Sequence, residues 1–306
     1  MKWDDIKTFL ALAASGTLAS AAKATGQDAT TIARGVQRLE SVLGATLFEH
    51  GRAGFVLSEA GRRLLVHAEA MELGARAIQQ KAKEGSGLSG TVRLSVSEGF
   101  GTHFLAPRLA SFAASNPKIA IDLVASTGFL NPSRREADVA IMLARPRGGP
   151  LVVAKLTDYD LGVYAGRNYL ERHGRVDSLD ALRGRRLVGY IPDLIYAPEL
   201  RYLAELDEAL EPTIRSSSIN AQASLIASGG GCGILPCFIG DRLGELTRVL
   251  PGAVNIKRSF WLVSHQDMRR VARIEAFILW LRSEVLAAQP LLLGAKSITC
   301  QQPLVK

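Results

Sequence analysis

Cysteine is nearly absent. Cys232, Cys237 and Cys300 are too few to frame a disulfide scaffold in a chain of 306 residues, so ordinary cores have to hold the fold together, in a reducing compartment. Aromatics are also scarce at 6%, against 47% apolar residues overall, which suits a globular α/β protein and excludes extended disorder. No stretch approaches the roughly 18 consecutive apolar residues a membrane helix requires. The apolar N-terminal segment carries Asp4 and Asp5 where a secretion signal carries only positive charge. The expectation is a cytoplasmic location with no membrane partner, which weighs against an exported solute-binding protein. The five histidines (50, 67, 103, 173 and 265) lack metal-ligand spacing, and no phosphate loop or nucleophile–base pairing is present. The reading is therefore no metal, no cofactor and no enzyme.

The formal charge of +8 invites a nucleic-acid partner, yet its distribution does not carry that argument. Residues 1–90 hold 11 Lys+Arg against 9 Asp+Glu, so most of the excess lies further on. Local pattern has to decide. Ile6, Phe9, Leu10 and Ala13 recur at helical spacing over residues 4–15, and Gly16 stops that helix. Thr17 caps a short second helix that closes at Gly26. Asp28 caps a third, with Ile32, Val36 and Leu39 on its inner face. Three short helices with a tight turn between the second and third make a helix-turn-helix. Residues 46–50 and 55–57 flank a Gly-containing loop and read as a hairpin wing.

Ser58 then caps a long helix reaching about Glu84, with a stripe of Leu64, Leu65, Ala68, Met71, Ala75 and Ile78. A solitary helix cannot bury such a stripe on itself, so pairing with a second copy is expected. Glu84–Gly90 is the clearest hinge in the chain. Beyond it strands (91–97, 119–126, 138–144, 161–165, 186–191, 259–264) alternate with helices (102–115, 219–228, 269–288). That alternation predicts parallel sheets covered by helices, with a loose tail from Gln289. The divisions expected are 1–58 for the winged helix-turn-helix, 59–89 for the linker helix and hinge, 90–290 for the α/β domain and 291–306 for the tail.

In their order and spacing several segments resemble the LysR-type transcriptional regulator family. They are Phe9-Leu10-Ala11-Leu12, Gly16-Thr17-Leu18 leading to Ala21-Ala22, Gln37-Arg38-Leu39-Glu40, Leu43-Gly44, Leu47-Phe48 and Leu57-Ser58-Glu59-Ala60-Gly61. Looser matches continue through Gly90–Leu94, Leu105-Ala106-Pro107, Asn116-Pro117, Ala137–Ile141 and the glycine-rich turn Gly231–Pro236. The resemblance implies a winged helix-turn-helix followed by a periplasmic-binding-protein-like (type 2) sensor of two α/β subdomains, crossed near Leu161 and near Ser259. It further implies a regulator that binds promoter DNA under control of a small-molecule effector, homodimers through the linker helix, homotetramers, and RNA polymerase as a further partner. The alternatives are a repressor that has lost effector control and a thiol-based redox regulator using Cys232 and Cys237. Their apolar flanks favour buried structural cysteines.

For DNA, the expected contacts are Thr30, Thr31, Arg34 and Gln37 on the exposed side of the third helix, with Arg38 near its end, Thr17 at the second helix and Arg52 in the wing. An arginine can donate two bonds to a guanine edge or grip a phosphate. The bland alternative is a solvated helix face and simple capping. This chain departs from the family where Ser-Gln-Pro or Ser-Gln-Ser commonly opens the helix. Asp28-Ala29-Thr30 stands there, and Ala33, Gly35 and His50 replace frequent polar residues, so the operator read must differ from the family's common one or affinity must be lower. Gly35 within the helix is expected to cost about 1 kcal/mol relative to alanine. For the effector, Glu98, Phe100, Gly101, Thr102, Thr127, Ser217, Ser218 and Asn220 are the candidates, His103 standing beside them. Free amides at a helix N-terminus there favour a carboxylate. Glu98 sits oddly with an acidic effector and points to a cationic or neutral one, or to none.

Overall fold

The first apolar periodicity becomes α1 (Trp3–Ser15), followed by α2 (Leu18–Thr25) and α3 (Ala29–Leu43). The structure, a computed structural model, describes residues 1–51, 54–83, 88–126, 136–146, 148–254 and 256–294. Side-chain caps start α2 and α3. Thr17 accepts from the Ser20 amide at 3.2 Å and Asp28 from the Thr31 amide at 2.7 Å. The motif's tight turn is Gly26, left-handed at φ 68°. Ile6, Phe9, Leu12, Ile32 and Leu39 are buried between the helices, each contributing on the order of 1.5–3 kcal/mol.

Gly35 has a positive role that the helix-propensity expectation missed. It is buried on α3 where α1 crosses, and a Cβ there would lie 2.3 Å from the Thr8 hydroxyl oxygen. The missing side chain lets the two helices approach. The wing is β1 (Phe48–Gly51) paired antiparallel with β2 (Gly54–Leu57), and the Phe55 amide donates to the Gly16 carbonyl at 2.7 Å, fixing the wing on the α1–α2 turn. The loop residue Arg52 lies outside the described residues. Ser58 accepts from the Gly61 amide at 3.0 Å and donates to the Thr46 carbonyl, opening α4 (Glu59–Lys83). Ala60, Leu64 and Leu65 pack on the helix-turn-helix core and Ala68 is buried, so the first part of the expected pairing stripe is core. Val66 and Met71 are exposed, and the Ile78 side chain lies outside the described set. Met1–Gly85 forms one compact unit and Ser86–Lys306 another.

The second unit begins with β3 (Gly90–Ser97), which leads directly into α5 (Glu98–Phe100), a π-helical turn (Gly101–Leu105) and α6 (Ala106–Ser115). The helix therefore starts at Glu98, four residues before the expected 102. Pro107 explains the π turn: it has no amide for the His103 carbonyl, and its ring would strike the preceding turn. The Ala106 amide bonds to Gly101 instead, and Arg242 donates to the freed His103 carbonyl at 3.1 Å.

Next come β4 (Ile119–Ser126), β5 (Val139–Met142), the long β6 (Leu151–Gly166), α7 (Arg167–His173), α8 (Leu179–Arg183) and β7 (Leu187–Gly189). They are followed by α9 (Tyr202–Leu206), β8 (Ile214–Arg215), α10 (Ile219–Ala227), β9 (Cys232–Pro236), α11 (Cys237–Gly240), β10 (Leu246–Val249), β11 (Ile256–His265), α12 (Ala272–Ala287) and α13 (Gln289–Leu292). The expected loose tail thus opens with a helical turn whose Leu292 is buried. Gly231–Pro236, expected as a turn, is mostly the buried strand β9.

Strand order among the described residues is β4-β3-β5-β11-β6-β9-β7-β8, with β10 also on β6. The sheet is mixed, which corrects the parallel expectation. β3 pairs parallel with β4 and β5, and β7 with β8 and β9, but β11 and β6 run antiparallel to each other and to their neighbours. Those two long strands join two lobes. The C-terminal half of β11 pairs with β5, the C-terminal half of β6 pairs with β9 and β10, and the β6–β11 pairing carries a bulge at Phe260/Trp261.

Two outcomes test this packing. Gly35→Ala should destabilise the N-terminal unit by about 1–3 kcal/mol in spite of alanine's better helix propensity. Adding Thr8→Ala should recover part of the loss, and urea titration followed by circular dichroism measures both. Cys232 and Cys237 are buried, and burial pushes each thiol up to about 11. At pH 7.5 the thiolate fraction is then well under about one part in a thousand. In a Cys300→Ser protein neither thiol should react with Ellman's reagent until the chain is unfolded. Rapid native reaction would reinstate the redox reading.

Candidate nucleic-acid interface and effector cleft

Burying Ile32, Val36 and Leu39 turns the opposite side of α3 outward. Thr30, Arg34 and Gln37 fall on that exposed stripe at spacings of four and three residues. Neither Arg34 nor Gln37 makes a hydrogen bond or ion pair among the described residues, so their donors and acceptors are free for a ligand. Thr30 and Thr31 differ: both hydroxyls donate to the Asp28 carboxylate, Thr31 at 2.8 Å, alongside the Thr31 amide. Those bonds, the Thr30 hydroxyl first, hold the Asp28 carboxyl far below the ordinary carboxylate range. The threonines keep methyl groups and acceptor lone pairs for an outside partner.

Arg38 is only partly available. Its Nε and Nη2 donate to Asp5 Oδ1 at 3.1 and 2.6 Å, and the Asp5 side chain is 4% exposed. Arg38 clamps α3 to α1 with about half its side chain still in solvent. Thr17 is half-buried, its hydroxyl engaged as the α2 cap and its methyl against Gly54 of the wing.

In the second unit a small cavity lies where the lobes meet, about 30 Å³ open to the centres of water-sized molecules. Ser97, Glu98, Gly99 and Phe100 line it from the first lobe, Tyr159 and Phe260 from the shared strands, and Tyr190, Tyr196, Tyr202, Ser217, Ile219 and Phe238 from the second. Tyr159 stacks on Phe260 at 4.2 Å between ring centres, and Phe260 meets Phe100 at 4.5 Å. Glu98 does not stand free. Its two carboxylate oxygens accept from the Ser218 hydroxyl at 2.8 Å and the Ile219 amide at 3.1 Å. Ser218 in turn caps α10 through the Ala221 amide. The helix N-terminus expected to receive an effector carboxylate therefore already holds one from the chain itself.

Of the residues expected to bind an effector, Glu98, Phe100 and Ser217 line the cavity, and Ser218 reaches it through Glu98. Asn220 joins Thr102 and His103 instead, at 3.1 and 3.0 Å. Gly101 packs against Val96 and Ala125, where a Cβ would come within 2.6 Å of both, and is not a lining residue. Thr127 lies outside the described residues. Four tyrosines went unforeseen: 159, 190, 196 and 202. A signal existed, because all six tyrosines of the chain fall between 159 and 202.

Known proteins share both halves of this plan. Residues 3–62 match the bacterial regulatory helix-turn-helix protein, lysR family, and residues 85–286 match the LysR substrate binding domain. The chain is 27% identical over 269 residues to the Mau operon transcriptional activator of Paracoccus denitrificans, covering 88% of this chain and 91% of that protein. It is 26% identical over 298 residues to the HTH-type transcriptional regulator CrgA of Neisseria meningitidis serogroup B, covering 92% and 96%. The solved structure of CrgA, a LysR-type transcriptional regulator from Neisseria meningitidis, superposes with a TM-score of 0.82 at 25% identity, over 93% of this chain and 99% of that one. A helix-turn-helix with a bare recognition stripe and a separate ligand-sized cleft therefore have one explanation: the chain belongs to the LysR family of DNA-binding transcription regulators with an effector-binding domain, which are not enzymes.

Proposed function

We propose that Arg34 and Gln37 read base edges in the major groove, with Thr30 beside them. The single observation that carries this is their free, exposed stripe on α3. Thr31 and Asp28 set the helix start, Thr17 supports backbone contact, and Arg52 enters the minor groove or touches phosphate. Arg38 acts chiefly through α1, and its remaining donors are placed for a phosphate. The cavity between the lobes is the effector site. It is formed by Glu98, Phe100 and Ser217 with the four tyrosines, while Ser218, Thr102, Gly101, Asn220 and Thr127 shape or support it. Pairing of two copies along α4 beyond the buried part of its stripe supplies the homodimer, with exposed Met71 on that helix. Two such dimers form a tetramer that meets RNA polymerase, in the cytoplasm.

Fluorescence anisotropy with the DNA flanking the protein's own gene separates the two arginines. Arg34→Ala should weaken specific binding by about 1–3 kcal/mol, or about 5- to 150-fold, with an unchanged melting temperature. Arg38→Ala should lower the stability of the N-terminal unit by about 1 kcal/mol or more, because the buried Asp5 carboxylate loses its partner. Solvent around Arg38 keeps that cost toward the low end. An Arg34→Ala protein with wild-type affinity would refute the assignment.

A further inference from the structure

The cavity between the lobes is lined by seven aromatic rings and one carboxylate, and among the described residues no lysine, arginine or histidine lines it. That composition is one-sided. Aromatic faces carry partial negative charge and attract cations, most strongly where water is excluded. Glu98 adds a full negative charge, and among the described residues it has no ion-pair partner. Its Ser218 and Ile219 bonds use two of the roughly four acceptor positions of a carboxylate, leaving others for a donor in the cavity. Burial first, and the Glu98 charge after it, push the Tyr196 phenol up to about 12. Burial, then Tyr202 and Tyr196, and last Glu98 push the Tyr190 phenol well above its ordinary range. Arg258 holds its guanidinium 6.0 Å from the Tyr202 ring centre. It is not a lining residue, and its guanidinium is committed to Glu205 and the Glu199 carbonyl.

A carboxylate effector would meet two obstacles here. It would face Glu98 directly, and the amide and hydroxyl that could receive it at the start of α10 are already filled by Glu98. A cation meets neither obstacle. The size is also restrictive: one water needs about 10–15 Å³ on this measure, so about 30 Å³ accepts a molecule of few non-hydrogen atoms.

We infer that this regulator's effector is a small organic ammonium ion, held by the Glu98 carboxylate and the faces of Tyr190, Tyr196 and their neighbours. The inference rests on the reading of this cavity as the effector site. Glu98 then has two roles: it closes the lobes by capping α10, and it offers its remaining lone pairs to the ammonium protons. Binding of the cation balances the Glu98 charge at the contact between the lobes.

The test is calorimetric titration of the full-length protein with ethylammonium, acetate and ethanol at fixed ionic strength, with melting temperature recorded alongside. Ethylammonium should bind and raise the melting temperature, whereas ethanol binds at least about tenfold more weakly and acetate not at all, as expected for a charge-assisted contact. Glu98→Gln should weaken ethylammonium binding about tenfold or more. Tyr196→Leu should weaken it about two- to thirtyfold, and Tyr196→Phe should keep it, because the ring rather than the hydroxyl supplies the attraction. Tyr196 is 37% exposed, so this second pair decides the matter even if Glu98→Gln fails to fold. Acetate binding without ethylammonium binding would overturn the cation and leave the effector cavity standing. Ethylammonium binding that is indifferent to the Tyr196→Leu change would place the cation elsewhere and overturn the inference. If no probe of any charge binds, the inference and the effector reading fall together.

Discussion

The α1–α3 crossing decides what the N-terminal unit can do. Gly35 brings the backbone of α3 close to Thr8, and Asp5 grips Arg38 across the same seam. With that side of α3 consumed, helical geometry leaves Thr30, Arg34 and Gln37 for solvent. The stripe's orientation is therefore a packing result first and a functional one second. Four cationic and polar residues of α3 thus have different tasks: Arg38 is largely structural, Thr30 and Thr31 serve the Asp28 cap, and Arg34 is left without an intramolecular use. Asp28 stays ionised, since three donors hold its carboxylate, and it keeps a negative charge at the start of α3.

In the second unit the comparable constraint is a single carboxylate spanning the lobe boundary. β6 and β11 tie the lobes covalently, but the Glu98 bonds to Ser218 and Ile219 tie their far edges through a few directional contacts. Such contacts respond to ligand charge, whereas strand pairing does not. Pro107 belongs to the same device. By forcing the π turn after Glu98 it frees the His103 carbonyl for Arg242, a second link between elements of the two lobes. A domain linked by charge at its rim and by strands at its spine can alter its lobe contact without unfolding its core.

Much of this was legible in the amino acids where chemistry is local. The caps Thr17, Asp28 and Ser58, the Gly26 turn and the inner faces of the first three helices are all short-range matters. What stayed hidden required the partner. Nothing around Gly35 announces that Thr8 lies opposite, and a glycine within a helix reads as a defect until the second helix is in place. The first half of β6 was missed because Lys155, Asp158 and Asp160 interrupt its apolar run. Expecting parallel strands failed because alternation along the chain says nothing of which strands return. Glu98 was singled out as out of place for an acidic ligand, but its capping of α10 depends on residues 120 positions away. The clustered tyrosines held information that periodicity does not register.

The central claim is that the free stripe of α3 is the surface that meets DNA. Arginine footprinting with phenylglyoxal, read by mass spectrometry with and without the cognate promoter fragment, addresses it in the wild-type sequence. Arg34 should be modified readily in the free regulator and protected in the complex, while Arg38, already held by Asp5, changes much less. Equal modification of Arg34 in both states would contradict the account.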